Sequence, residues 1–217
     1  ILSCVVNERK ICHFHFFHIG ALSLFNVLVA KAFLRKVVIT AHDVESFSSK
    51  LETPFMSKLA YRLAHKVIAH NKTIKNELMR CLNVPVEKIC VIPSGNYLHV
   101  VGVPPSYNDS RERLGIPEES NVLLFFGQIK DVKRLDLLIS SMPNILARHP
   151  DTVLLIAGRP WHTDFSRYQA LIDQYSIGGS CIAHIKFIDN NDLPYYYMAS
   201  DLVILPYQRI YQSAVVL

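Results

Sequence analysis

Gly127 and Lys133 stand six residues apart behind the apolar run Val122 to Phe126, and residues of these types at this spacing suit an anion. A continuous apolar run reads as a parallel strand covered on both faces, and a glycine at its carboxyl end permits a sharp turn. The helix that follows would aim its unpaired N–H groups at that turn, and Lys133 would add a point charge. Fixed donors and a cation are what the developing charge of a diphosphate leaving group needs. A glycine and a lysine so placed also occur in loops that only turn, so the residues alone leave both readings open.

His42 and Asp43 follow the expected strand Val37–Thr40, which puts an imidazole suited to proton handling near neutral pH at a strand end facing a cleft. The alternative is a helix-capping Asp43 beside a histidine held by a backbone carbonyl. His13, His15 and His18 invite a metal reading, but His13 and His15 share one strand face while Phe14 and Phe16 share the other, and Cys12 points away. A hydrogen-bonded histidine face with no metal is the expectation. Ser213 would cap a helix whose next N–H groups, at Ala214 and Val215, are free for an anion or simply capped. Asp201 reads as a turn or cap residue, and Trp161 and His162 either line the cleft or pack over a neighbouring helix. The chain has no G-x-G-x-x-G, no Walker A sequence and no G-x-S-x-G, which removes the main support for dinucleotide, P-loop and α/β-hydrolase readings.

These residues need elements to position them. Strands are expected at Ile11–Phe16, Val37–Thr40, Lys66–Ala69 and Ile89–Ile92, with helices at Ala21–Leu34, Pro54–His65 and Thr73–Leu82 between them. A turn-rich joint, GVPPSYNDS from Gly102 to Ser110, then marks a domain boundary. Beyond it strands are expected at Val122–Phe126, Val153–Ala157, Ile182–Ile188 and Leu202–Leu205, with helices at Leu135–Arg148, Phe165–Gln174 and Leu193–Ala199. Pro143 should kink the first of these helices or mark its restart. Two runs of alternating β and α elements predict an α/β fold of two parallel-sheet units: a domain over 1–101, a linker over 102–112 and a domain over 113–217. Ligands in such sheets gather beyond the carboxyl ends of the strands.

Bulk composition narrows the classes further. With 217 residues, 50% hydrophobic and 19% charged, the chain can bury a real core. A net charge of +5 without a basic block argues against nucleic acid. Cys4, Cys12, Cys81, Cys90 and Cys181 are odd in number and show no C-x-x-C spacing, which predicts free thiols and a cytoplasmic location. Ile19 to Ala30 is too short and too interrupted for a membrane span and reads as a buried or half-buried helix. Both ends look cut from something longer, the first residue being Ile1 and the last Leu217.

AHDVESFS at Ala41–Ser48, VIPSGN at Val91–Asn96, FFGQIKDVKR at Phe125–Arg134, LLIAGRP at Leu154–Pro160 and ASDLVILPYQRIYQS at Ala199–Ser213 resemble, in this order, the retaining glycosyltransferases of the two-Rossmann (GT-B) type. The resemblance spans nearly the whole chain. It implies two Rossmann-like domains facing across a cleft, the N-terminal one incomplete and binding the acceptor, the C-terminal one binding a nucleotide sugar. It further implies hexose transfer with retention to a saccharide or lipid-linked acceptor, the leaving phosphate helping to take the acceptor proton. No cofactor or metal is implied beyond the donor, and peripheral association at the inner face of a membrane is compatible with it.

Residue by residue, Gly127 and Lys133 resemble the family's diphosphate loop, His42 the histidine that contacts the donor sugar, and Ile188, at the end of its strand, the position whose backbone meets the base. Tyr211 to Val215 resemble the start of the E-x7-E segment, with Ala214 at its glycine. Gln128 replaces the usual arginine, Arg134 the glycine after the lysine, and Tyr211 the first glutamate. Glutamine cannot supply a bidentate phosphate fork, and Arg134 stands where it can restore some of that charge. These departures keep a second expectation in view, a non-catalytic descendant that binds a nucleotide sugar or glycan. A two-lobed periplasmic-type binding protein is disfavoured by the free cysteines and the phosphate loop.

Overall fold

The computed structural model describes residues 10–42, 54–95, 103–161 and 164–208. They form two compact units, one built on residues up to Gly95 and the other on residues from 103 onward.

The first unit is a four-stranded parallel sheet, β1 (Ile11–Phe16), β2 (Lys36–Ala41), β3 (Lys66–Ala69) and β4 (Ile89–Val91), in that spatial order. Helices α1 (Ala21–Ala32), α2 (Pro54–Leu63) and α3 (Lys72–Leu82) connect the strands. Alternation sorts β1 as expected: Cys12 is buried and Phe14 and Phe16 pack on the core, while His13 and His15 face outward. Helix α3 starts where Asn71 accepts a hydrogen bond from Ile74 N at 2.8 Å and stops at Asn83 in the left-handed conformation. Helix α1 ends two residues earlier than its periodicity predicts, at a turn in which Leu34 has φ 55°. That helix is half-buried in an unusual sense. Val27 and Ala30 enter the core, whereas Leu22, Phe25 and Leu28 stay exposed. Among the described residues no helix is long and apolar enough to cross a membrane.

The second unit contains β5 (Asn121–Phe126), β6 (Thr152–Ala157), β7 (Cys181–His184) and β8 (Leu202–Val203), all parallel, in the order β7-β6-β5-β8. Helices α5 (Leu135–Leu146) and α6 (Ser166–Gln174) cover one face, where Leu135, Leu138, Ile139, Met142, Tyr168 and Ile172 meet Phe125, Leu154 and Ile156. Helices α4 (Tyr107–Leu114) and α7 (Leu193–Met198) cover the other, where Leu114, Tyr196 and Ala199 meet Val122, Leu124, Leu155 and Ala157. Burial on both faces explains why β5 and β6 read as uninterrupted apolar runs. The α/β class with two parallel Rossmann-like sheets is thus what the chain adopts.

Two local expectations need correction, and a third is narrowed. Residues 107–110, read as part of a joint, belong to α4, because Ser106 caps it by accepting from Asp109 N at 3.1 Å and Arg111 is buried against α7. Arg111 donates to Ala199 O, Ser120 O and Asp201 Oδ2, and Asp201 Oδ2 also accepts from Val122 N. Asp201 is therefore the clamp joining α4 to the start of β5. Strand β7 ends at His184, well before Ile188, since Lys186 N turns back to His184 O. Of the two outcomes expected at Pro143, a kink or a restart, the restart is excluded, because helix α5 runs through it.

Candidate functional site

In the second sheet the chain moves outward from β5 to β6 and β7, then returns to the other side of β5 with β8. The order reverses at β5, and the crevice beyond the carboxyl end of the strand at such a reversal is where open α/β sheets take ligands. Gly127 occupies that end with φ 97°, and Gly158 ends the neighbouring β6 with φ 146°. The two turns interlock. Gly127 N donates to Ala157 O, Ile129 N to Arg159 O, and Trp161 N to Ile129 O. A Cβ on Gly158 would stand 2.0 Å from Gly127 O, so only glycine permits this approach.

A cavity of about 280 Å³ opens beside the paired turns, lined by Phe126, Gly127, Gln128, Gly158, Arg159, Lys186, Phe187 and Ile188. Its apolar walls suit a planar ring, and its two cations suit an adjoining anion. The amides behind Phe126 contribute less than expected. Those of Gly127 and Ile129 are spent on the β6 turn, and only the N–H groups of Gln128 and Lys130 are left beside it with no partner among the described residues.

Lys133 lies beneath the turn, outside the cavity lining. Its Nζ is 3.4 Å from Phe126 O and 5.2 Å from the centre of the Tyr207 ring. Burial, reinforced by neighbouring Lys130, pulls its pKa down to about 8. Lys133 closes a 3-10 turn over Asp131–Lys133, and Arg134 alone stands between that turn and α5. Arg134, with φ 52°, is the N-cap of α5, and its Nε lies 3.2 Å from both oxygens of Asp136. Its charge is therefore largely answered at home, and the charge lost at Gln128 is not restored from there.

Ile188 lines the cavity, although from a loop and not from a strand end. Arg159 and Lys186 were missed by sequence reasoning. The available signal was Gly158-Arg159 directly after an all-buried strand, the same arrangement that drew attention to Gly127. Trp161 is not among the residues that line this cavity, and Lys130 Nζ stands 4.9 Å from its ring centre. His162, Tyr211, Ser213, Ala214 and Val215 lie outside the described residues, as does Asp43.

In the first unit His42 follows β2 directly, and its N–H donates to Phe16 O at 3.1 Å. Its ring is ringed by others: Phe17 stacks on it at 4.4 Å between centres, and His70 is 5.0 Å away. His15 Nδ1 lies 3.2 Å from His42 Nε2, and His13 Nε2 lies 2.7 Å from Thr40 Oγ1. Burial first, then His70 and His15, lowers the pKa of His42. His18 is exposed and apart from this row. Among the described residues no group of three ligating side chains is placed to hold a metal ion. The four described cysteines are free thiols.

Comparison with known proteins covers both units. The model for Glycosyltransferase Family 4 matches residues 8–96, and that for Glycosyl transferases group 1 matches residues 106–211. A putative glycosyltransferase, YtcC, of Bacillus subtilis is 29% identical over 180 residues, 78% of this chain and 43% of the relative. The D-inositol 3-phosphate glycosyltransferase of Thermobispora bispora is 26% identical over 152 residues, 66% of this chain and 35% of its own length. The chain thus spans less than half the length of these curated relatives. Among solved structures, sucrose-phosphate synthase from Thermosynechococcus elongatus superposes with a TM-score of 0.80 at 20% identity, covering 98% of this chain and 54% of the other. Anabaena Alr3699/HepE, solved in complex with UDP and glucose, gives 0.72 at 18% identity over 93% of this chain and 54% of the other. With a family model on each unit and the same fold in these neighbours, the chain belongs to the GT-B glycosyltransferases.

Proposed function

We propose that this chain carries the donor-binding core of a hexosyltransferase that takes its sugar from a nucleotide diphosphate donor and delivers it, with retention of configuration, to a saccharide or lipid-linked acceptor. The observation that carries the reading is the cavity at the ends of β5 and β6, where two interlocked glycine turns leave space flanked by Arg159, Lys186 and the Gln128 amide. The base stacks against Phe187 and Ile188, and the diphosphate meets the cations and the glycine turn. Lys133, its pKa lowered to about 8 and still an ammonium at neutral pH, answers the charge that grows on the leaving phosphate. His42 is the sugar-facing group of the first unit. The leaving phosphate accepts the acceptor's proton, so the reading calls for no cofactor besides the donor and no metal. Alr3699/HepE was also solved with UDP-glucose, which makes uridine donors the first to test.

The deciding experiment incubates the full-length chain with a panel of nucleotide sugars and acceptors and reads the product anomer by NMR. A product whose anomeric configuration matches the donor's is expected; an inverted product removes retention, and binding without turnover favours the second reading. That reading, a nucleotide-sugar or glycan-binding descendant, is favoured by the pairing of Arg134 with Asp136, which leaves the Gln128 departure uncompensated from that side.

A further inference from the structure

Three imidazoles from neighbouring strands meet on one face of the first sheet. His15 lies on β1, and His42 and His70 are the first residues after β2 and β3. Extending the ladder one step beyond Phe16↔Ala41 and Ala41↔Ala69 aligns Phe17, His42 and His70 in one row. The measured ring separations agree with that alignment. His15 sits two residues before Phe17, on the same strand face, and reaches diagonally to His42. We infer that His15 is a positioning residue for His42, the two rings sharing one hydrogen across their 3.2 Å Nδ1–Nε2 contact so that His15 fixes which nitrogen of His42 is protonated. This rests on the reading of His42 as the sugar-facing group.

A hydrogen bond between two imidazole nitrogens needs one hydrogen, from either ring. If His15 donates, His42 must keep its own proton on Nδ1; if His42 donates, its Nδ1 is a lone pair. One further proton leaves the bond intact, because a cationic ring donates to a neutral one. A second makes both nitrogens donors and breaks it. The pair is therefore built to hold one extra charge and not two.

His70 cannot take over this duty. Its Nδ1 lies 3.0 Å from Ile92 O, and since a carbonyl only accepts, Nδ1 is the nitrogen that bears hydrogen. Its Nε2 is then the basic nitrogen, buried and without a hydrogen bond among the described residues. Protonating it would set a cation beside His42 on the side opposite His15. Beyond His15, the titratable group that faces His42 is His70 after β3, while His13 packs on His15 and is bonded to the neutral Thr40 of β2. Burial and these neighbours hold His42 toward its neutral form, which agrees with a ring that positions hydrogen bonds and does not carry a standing charge.

The test uses the full-length chain with 15N-labelled histidine, as wild type, His15→Phe and His15→Asn, the last keeping a polar group near the position of Nδ1. Imidazole NMR reads the tautomer and titration of His42, and donor-dependent transfer reads kcat, KM and their pH profile. His15→Phe is expected to mix the tautomers of His42 and to raise its titration midpoint, because the lowering contributed by His15 is removed. The same change should lower kcat about tenfold with the donor KM within about twofold, while His15→Asn recovers most of kcat. An unchanged His42 tautomer and titration in His15→Phe overturns the inference, whatever the activity. Absence of transfer by the wild type instead defeats the proposed function, and the NMR comparison still decides the coupling.

Discussion

Replacing Lys133 with alanine tests the donor site at its most perturbed group. Bringing the lysine pKa from 10.5 down to about 8 means the fold disfavours this ammonium by on the order of 3 kcal/mol. The strain has a definite sign. Between about pH 8 and about pH 10.5 the unfolded chain binds this proton and the folded chain does not, so stability rises with pH through that window and is lower beneath it. Donor binding runs the other way. Below pH 8 the ammonium is present, and a phosphate about 4 Å away would gain at most ~4 kcal/mol at an effective dielectric of 20. Part of that is lost to screening and to the distance from the open cavity, so Lys133→Ala should raise the dissociation constant for UDP at least about tenfold, ~1.4 kcal/mol. In the wild type the constant should also climb by up to about tenfold per pH unit above 8, and in Lys133→Ala it should stay flat. Calorimetric titration of UDP into the full-length chain at pH 7, 8 and 9 measures both. Equal constants for wild type and variant, or a wild-type constant that ignores pH, would refute the assignment of Lys133 to the diphosphate.

Gly158→Ala should cost about 2–4 kcal/mol in chemical denaturation, because its Cβ meets Gly127 backbone at 2.0 Å, whereas Gly115→Ala, with φ 68° and open space, should cost only about 1 kcal/mol. If the two cost the same, the interlocking of the turns has been misjudged. Arg159→Ala should weaken UDP about five- to tenfold and leave the melting temperature within a few degrees, read by calorimetry and thermal unfolding. Asp201→Ala should destabilise the second unit by ~2–3 kcal/mol, since it strips the buried Arg111 of its carboxylate and Val122 N of its acceptor. A loss of UDP affinity in Asp201→Ala without loss of stability would show that this clamp serves the site and not the fold.

Much of the architecture could be read from periodicity. The run Asn121–Phe126 and the wholly buried Thr152–Ala157 announce central parallel strands, and the alternation in Ile11–Phe16 assigns its histidines and phenylalanines to opposite faces. The helix over Tyr107–Leu114 is hard to read because the largest of its three buried side chains is a charged one, Arg111, beside Ser110 and Leu114, and the acceptors of Arg111 lie as far away as Ala199 and Asp201. Ile188 is expected at a strand end, yet it reaches the cavity from a loop, since its strand stops at His184.

The order and types of residues therefore determined that strands would end in glycine turns, that a lysine would follow one of them and that a histidine would follow another strand. These are local facts, set by burial pattern and by backbone freedom at single positions. Tertiary structure decided the rest. Only the register of β5 against β6 seats Gly158 on Gly127, withdraws two amides from anion binding and presents Arg159 in their place. Only the alignment of three strands brings His15, His42 and His70 together from positions far apart in the chain. Contacts of that kind depend on which strands pair and in what register, which no local window of residues contains.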